Sequence, residues 1–386
     1  MASTFQKITK FIRSIYMLLN ILAVIWLLLC LFAAYYDSSD APSIISLFSF
    51  TCIFAFFVNL LFVLIWLFSK KKIRALISII AIAVCWKVVQ PSFGFKLFSS
   101  NNISNLESNG LKIMTWNVHM FDLGEWTKDN STIGKILKFI DEENPDILCL
   151  QEFYRDADNA KEPYTDIIQK SGYGYYSFML NNQWMKNRMT SKASKGEVID
   201  VGTMIFSKYP IENIRTYPSP DKGQGFQLVD VTLQNKKKFS LMVLHLTSVR
   251  FGNKEFEFLK DVKNNVVEEQ SKSKHLANKL MYASSVRAKV ANAVAKAAAE
   301  AQYPLIICGD FNDMPGSYVY NTVRGNLKDA FVAKGWGIGR TYQYVFPTLR
   351  IDYILYDDSF FKVEGYKKYP LGLSDHAPVI TNLSIQ

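Results

Sequence analysis

Polar side chains recur where short apolar runs give way to loops, and their types are those of phosphate-ester chemistry. Asn117 follows the run 113–116, Glu152 follows 148–151 and His245 closes 243–245. Asp310 and Asn312 stand in Gly309-Asp310-Phe311-Asn312-Asp313, Asp352 in Arg350-Ile351-Asp352-Tyr353, and Asp375-His376 is an adjacent pair. Hydrolysis of a phosphate ester calls for a divalent cation on hard oxygen ligands such as Glu152, which suits Mg²⁺ or Mn²⁺. It also calls for a base that works near neutral pH, a role for which the imidazole of His376 is fitted. A carboxylate such as Asp352 then fixes the imidazole tautomer and stabilises the imidazolium. Taken singly, each residue has a plain structural explanation. A strand-end Asn caps a turn, Glu152 is a surface acid, His245 is a half-buried hydrogen-bonded histidine, and Asp313 precedes Pro315 in a turn. Their joint presence favours the catalytic reading.

A site assembled from strand ends needs a rigid sheet beneath it. Runs rich in β-branched residues at 111–116, 146–150, 201–206, 226–233, 239–246, 304–308, 351–356 and 379–383 read as buried strands. Between the first two, Ile133, Ile136, Leu137 and Ile140 repeat at helical spacing and predict an amphipathic helix over 131–142. Residues 234–238 join two strand patterns as a hairpin turn, so their three lysines form a solvated tip. The stretch 254–301 lacks Pro and Gly and reads as one or two helices, with a flexible portion around 268–274. Strands alternating with helices predict an α/β sandwich in a single domain. No internal repeat is evident.

Competing chemistries lack their motifs. There is no G-x-x-x-x-G-K-[ST] loop, no H-E-x-x-H and no C-x-x-C. Gly335, Gly337 and Gly339 alternate after a helical pattern, the wrong context for a dinucleotide site, and read as a loop. The five cysteines, Cys30, Cys52, Cys85, Cys149 and Cys308, all fall in apolar runs or buried-strand patterns and read as free thiols.

The order and wording of the motifs resemble the endonuclease/exonuclease/phosphatase superfamily, which includes deoxyribonuclease I, abasic-site endonucleases, neutral sphingomyelinases and inositol-polyphosphate phosphatases. The matching stretches are Met114-Thr115-Trp116-Asn117-Val118, Leu150-Gln151-Glu152, Gly202-Thr203-Met204-Ile205-Phe206-Ser207-Lys208-Tyr209-Pro210-Ile211, His245-Leu246, Gly309-Asp310-Phe311-Asn312, Arg350-Ile351-Asp352-Tyr353-Ile354 and Ser374-Asp375-His376-Ala377-Pro378-Val379. The resemblance runs from residue 111 to 384 and implies a DNase-I-like four-layer α/β sandwich, two packed mixed β-sheets flanked by helices. It implies that Glu152 binds the metal, with Asn117 and Asp375 beside it as direct or water-mediated ligands. Asp310 and Asn312 would orient the attacking water and the scissile phosphate, and His245 would donate to a phosphate oxygen. His376 and Asp352 would be the base pair of the family. Whether His376 deprotonates water, or Asp310 does so while His376 binds the phosphate, stays open at this point.

Three apolar runs precede residue 91, at 14–36, 43–68 and 75–89. A helix needs about 20 residues to cross ~30 Å of hydrocarbon, so the first two are long enough outright. The third is short and carries Lys87, whose stem can snorkel to an interface; an interfacial or core helix is its alternative. Lys7, Lys10 and Arg13 precede the first run and Lys70, Lys71, Lys72 and Arg74 separate the second from the third, while 37–41 has two acids and no cation. By the positive-inside rule the N-terminus and second loop face the cytoplasm. A third crossing of the cytoplasmic membrane then puts the remainder on the extracytoplasmic side; without it the remainder is cytoplasmic. The expected organisation is a transmembrane anchor of about three helices over 1–90, a polar tether over 91–110 and a catalytic domain over 111–386.

A hydrophobic share of 49% with 20% charged residues excludes a disordered chain. The first 91 residues hold 8 Lys/Arg against 2 Asp/Glu and the rest 36 against 32, so only +4 of the net +10 lies on the domain. That balance argues against a dedicated duplex binder, whose affinity comes mainly from cation contacts to phosphates. The motif resemblance and the apolar segments together imply a membrane-tethered, Mg²⁺-dependent phosphodiesterase of nuclease type as the expected function. A lipid phosphodiesterase or phosphomonoesterase is the alternative, and an inactive membrane-linked binding module the remote one. The partners expected are the lipid bilayer and a phosphate ester, nucleic acid or phospholipid head group, with no protein partner evident. Arg250, Arg324, Arg340, Tyr318 and Tyr342 are candidate substrate contacts.

Overall fold

The computed structural model describes residues 2–96, 110–124, 126–129, 131–156, 168–169, 171–185, 198–219, 225–249, 270–343 and 348–386. Three apolar helices come first, α1 (Ala2–Ala33), α2 (Cys52–Leu67) and α3 (Ala75–Val89). The segments Phe11–Ala33, Ile44–Leu67 and Lys72–Ser92 are long and apolar enough to cross a membrane. The second begins as a 3-10 helix, Ile44–Thr51, opened by Ser43, whose hydroxyl accepts from Ile45 N–H. Polar atoms on such helices need partners inside the bundle. Asn20 donates to Ser78 Oγ at 2.6 Å and accepts from Trp66 Nε1 at 2.8 Å, while Asn59 donates to Ala23 O at 2.8 Å.

The segment expected as a polar tether begins with contacts to the rest of the chain. β1 (Gly94–Phe95) pairs with Trp336–Gly337, and Arg350 donates to Pro91 O at 2.7 Å. Residues 97–109 lie outside the described residues.

The rest is built from β2 (Gly110–Asn117), α4 (Thr132–Glu143), β3 (Ile147–Asp156), β4 (Tyr175–Met185), β5 (Val198–Ser207), β6 (Ile211–Pro218), β7 (Gly225–Thr232) and β8 (Lys238–His245). There follow α5 (Gln270–Ala299), β9 (Leu305–Asp310), α6 (Tyr318–Arg324), β10 (Lys328–Asp329), α7 (Ala330–Lys334), β11 (Trp336–Gly337), β12 (Asp352–Tyr356), β13 (Phe361–Lys368) and β14 (Val379–Ile385). Residues 270–274, expected to be flexible, form the first turn of α5; 254–269 fall outside the described residues. The hairpin over 234–238 joins β7 to β8 as its sequence predicts.

Two six-stranded mixed sheets result, β13-β14-β2-β3-β5-β4 and β10-β12-β9-β8-β7-β6. In each, a central parallel pair (β2/β3, β8/β9) is flanked by antiparallel neighbours, and a helix (α4, α5) lies between the two parallel strands in sequence. The sequence shows no repeat, yet the two sheets share this plan. One core lies between them, where Ile113, Ile147, Cys149 and Ile205 meet Val229, Leu241, Val243, Ile306 and Ile354. The outer faces are closed by α4 through Ile136 and Ile140, and by α5 and α6 through Val290, Val294, Val319 and Val323. The fold is the four-layer sandwich that the motifs imply.

Candidate active site

The parallel pairs end on one common edge, and their last residues are the polar ones. Asn117 closes β2, His245 closes β8 and Asp310 closes β9. Asp352 opens the antiparallel β12, and Asp375-His376 precede β14, so these three come from the starting ends of their strands rather than from strand C-termini. Antiparallel neighbours return them to the same edge. His245 and Asp352 are both direct register partners of Asp310, which sets the three in one row.

Local backbone irregularities aim the remaining groups. Glu152 sits where the β3–β5 register shifts between Leu150 and Phe153, with φ of 52°, and Asn312 has φ of 51°. Such left-handed conformations cost non-glycine residues about 1–3 kcal/mol and concentrate at functional sites. Gly309 has φ of +133°, and a Cβ there would meet Leu244 O at 2.1 Å, so the glycine lets β8 and β9 approach beside Asp310.

His376 is held from one side and faced from the other. Its Nδ1 lies 3.1 and 2.9 Å from the two oxygens of Asp352, and its Nε2 lies 3.6 Å from Asp310 Oδ2. Asn117 Nδ2 donates to Glu152 Oε1 and to Asp310 Oδ2, both at 3.2 Å, while its carbonyl oxygen accepts from His119 N–H. Asn117 thus gives its NH₂ to the cluster. Asn312 N–H donates to Asp310 Oδ1 at 2.8 Å and its side chain to Asp310 Oδ2 and Leu246 O. His245 Nε2 stands 3.8 Å from Glu152 Oε1 and from Asp310 Oδ2.

Burial pushes the Asp310 carboxyl up to about 7; the charge of His376 opposes that rise and the charge of Asp352 adds to it. Burial alone would lower the pKa of His376. The carboxylates Asp352, Asp310 and Asp375 outweigh it and hold the imidazole well above its ordinary value.

The donor chemistry fits a hard divalent cation. Ligand-capable atoms of Asp310, Asp352 and His376 lie within 4.8 Å of one another. Both oxygens of Asp352, however, are engaged by His376 Nδ1, so this carboxylate serves the imidazole. Glu152 and Asp375 keep partly exposed carboxylates on the lining of the same cleft, beside Asn117 and Asp310. Four acids gathered around two imidazoles offer the oxygen donors that suit a hard divalent cation.

The structure adds two residues that had been given no role, His119 outside the quoted motifs and Ser374 at the head of the last of them. His119 Nδ1 lies 3.4 Å from Asp375 Oδ1 and its ring stacks on Trp126 at 3.8 Å. Its signal was present: it is one of only four histidines in the chain and stands two residues after Asn117. Ser374 Oγ ties the loop down by donating to Asn117 O at 2.7 Å and accepting from His376 N–H. Of the five candidate substrate contacts, Tyr342 lines the cleft and packs edge-on to His376 at 5.0 Å. Arg340 supports it by donating to Tyr342 O. Tyr318 bonds Asn292 and Arg324 bonds Leu327 O, both away from the cleft lining, and Arg250 lies outside the described residues.

A family model described as Endonuclease/Exonuclease/phosphatase family matches residues 114–376, and one described as a domain of unknown function (DUF8431) matches 13–92. A comparison with curated proteins gives no match. Among solved structures, the human Nocturnin catalytic domain with bound sulfate anion is 19% identical over 72% of this chain and 95% of that chain, with a TM-score of 0.51. An endonuclease/exonuclease/phosphatase from Beutenbergia cavernae is 18% identical over 72% of each chain, with a TM-score of 0.46. A 3'-5' exonuclease (NExo) from Neisseria meningitidis is 17% identical over 70% of this chain and 98% of that one, with a TM-score of 0.43. At 19% identity the likeness to the Nocturnin domain is one of fold. The family match covers more than half of the chain and contains every residue of the cluster from Asn117 to His376, and on that ground the chain belongs to the endonuclease/exonuclease/phosphatase family of phosphoric-ester hydrolases.

Proposed function

We propose that the protein is a membrane-tethered, Mg²⁺-dependent phosphodiesterase in which water attacks phosphorus beside the Asp310–His376 pair. The observation that carries this reading is His376 set between Asp352 and Asp310 on the lining of a cleft that also presents Glu152 and Asp375. Mg²⁺ held by Glu152 and Asp375 would neutralise charge on the phosphoryl oxygens and the leaving alkoxide, worth several kcal/mol. The chain's own residues do the rest. Asn117 keeps Glu152 and Asp310 together, Asn312 orients Asp310, and His245 donates to a phosphoryl oxygen. Asp352 takes the Nδ1 side of His376, so Nε2 faces Asp310 and the two share the proton that the water gives up. The water oxygen bonds to phosphorus, the bond from phosphorus to the leaving oxygen breaks, and the leaving alkoxide takes a proton from solvent while the Asp310–His376 pair returns its proton to solvent.

The organisation proposed is an anchor over 1–90 and a catalytic domain over 111–386. The domain packs against the 34–51 end of the helices: Asn292 donates to Asp37 Oδ2 at 2.9 Å and Asn321 to Ala34 O at 3.2 Å. The basic loop 68–74 joins the opposite ends of α2 and α3. Three crossings with the domain on the acid-bearing side support the extracytoplasmic placement. A lipid phosphodiesterase is the second reading, and the lining of the cleft favours it, as developed below. A pure binding module has no need of buried like charges around an imidazole.

The test uses the full-length protein in detergent with bis-p-nitrophenyl phosphate, in Mg²⁺ or EDTA, beside Glu152→Ala and His376→Ala. Metal-dependent turnover that falls at least a hundredfold in both variants is expected. Full activity in EDTA, or wild-type rates in both variants, refutes the reading.

A further inference from the structure

The cleft that holds the cluster is not made by the catalytic domain alone. Its volume is about 450 Å³, and besides Asn117, Glu152, Asp310, Asp375 and His376 it is lined by Leu47, Phe50 and Phe54 from the second apolar segment. Facing them are Leu276, Ala277 and Leu280 from α5. Among the described lining residues there is no Lys or Arg. A site shaped for a soluble polyanion gathers cations along its walls; this one gathers leucine and phenylalanine beside a phosphoryl-transfer cluster.

The apolar wall continues out of the cleft. Phe54, which lines it, is 42% exposed, and Phe57, Leu61 and Leu64 follow at 47%, 54% and 47%. Positions 54, 57, 61 and 64 fall on one face of α2, so they form a stripe that leads from the cleft down the apolar helix. A chain lying on that stripe stays in apolar surroundings from the phosphorus to the bilayer, while a head group sits among Glu152, Asp375 and His376.

Resting on the hydrolase reading above, we infer that the substrate is an amphipathic phosphoester, a lipid with its phosphate at the cluster and its first methylenes between the 3-10 helix Ile44–Thr51 and α5. The anchor is then half of the substrate site rather than a tether. Burial of methylenes supplies affinity that a bare head group lacks, and the head group arrives already at membrane depth.

The experiment compares phosphatidylglycerol and phosphatidic acid in vesicles with their deacylated head-group esters, bis-p-nitrophenyl phosphate and duplex DNA. The full-length protein is used in Mg²⁺. At least a tenfold higher kcat/KM for a lipid than for its deacylated ester is expected, with the difference carried mainly by KM. Leu280→Ser and Phe50→Ala, on opposite walls, should each lower the lipid to bis-p-nitrophenyl phosphate specificity ratio tenfold or more. Should one variant fail to fold, the other and the wild-type series still decide. Hydrolysis of bis-p-nitrophenyl phosphate without lipid preference overturns the inference and leaves the hydrolase reading standing. DNA as the preferred substrate, with a steep loss of rate in added salt, overturns it as well. No hydrolysis of any compound overturns both.

Discussion

Asp310 and Asp352 are register partners on adjacent antiparallel strands, yet they meet different nitrogens of one imidazole: Asp352 Oδ2 lies 2.9 Å from His376 Nδ1 and Asp310 Oδ2 lies 3.6 Å from Nε2. On the proposed mechanism the two acids would act differently: Asp352 would fix the ring and balance its charge, and Asp310 would share the proton that moves.

Asp352→Asn keeps the shape and removes the charge. An amide can still touch Nδ1, but it cannot stabilise the imidazolium and can impose the wrong tautomer. The loss should lie within the about 10²–10⁴-fold that positioned proton transfer contributes, and it should appear in kcat with KM nearly unchanged. Steady-state kinetics with bis-p-nitrophenyl phosphate measure it. A variant within threefold of wild type would show that the pair is structural.

A second prediction concerns pH and lies away from the cluster. Lys112 on β2 bonds Glu143 at the end of α4 at 2.7 Å, with both side chains largely buried. Burial raises the Glu143 pKa, but the bonds from Lys112 and Tyr369 outweigh it and hold the carboxyl below its ordinary value. A depressed carboxylate pKa means that the unfolded chain binds more protons as pH falls. The stabilisation is therefore present above the ordinary glutamate pKa and lost as pH falls through the lower, folded value. Glu143→Gln should cost a few tenths to about 1 kcal/mol at pH 7. The gap from wild type should close in acid. Thermal unfolding at a series of pH values reads it, and a gap that widens in acid contradicts the sign.

What the sequence made legible follows burial. The central strands β2, β3, β5, β7, β8, β9, β12 and β14 are buried runs of branched residues, and each was readable as a strand. The three longer strands that escaped, β4, β6 and β13, are sheet edges. β6 has no buried residue, only half-buried and exposed ones, and β4 exposes Tyr175, Tyr176 and Leu180. An edge strand has one neighbour and a solvated margin, so it lacks the apolar run that marks a strand. Likewise the cluster was legible because acids, amides and imidazoles next to buried runs are conspicuous. Leu47 and Phe50 were not, since inside an apolar segment nothing marks a residue that faces a cleft from one that faces outward.

Arg350 supplies the last prediction, because from a fully buried position it holds the segment that follows α3. Its Nη2 lies 2.8 Å from Asp329 Oδ2 and donates to Pro91 O at 2.7 Å, and its guanidinium stands 4.5 Å from the ring centroids of Phe331 and Tyr353. Asp329 in turn accepts from Tyr320 OH and from Phe331 N–H, capping α7. Arg350→Leu would leave Asp329 charged and buried with only neutral donors, and would remove one tie to the segment that leaves α3, which the β1–β11 pairing still holds. Breaking one partner of such a pair costs about 3–5 kcal/mol, whereas replacing both by apolar groups costs far less. Arg350→Leu should therefore lower the thermal midpoint more than the double variant Arg350→Leu/Asp329→Leu, the reverse of additive behaviour. Two additive losses would mean that the ion pair does not govern this corner. A lysine at 350 restores the charge but not the flat guanidinium between two rings, so Arg350→Lys should recover only part of the loss.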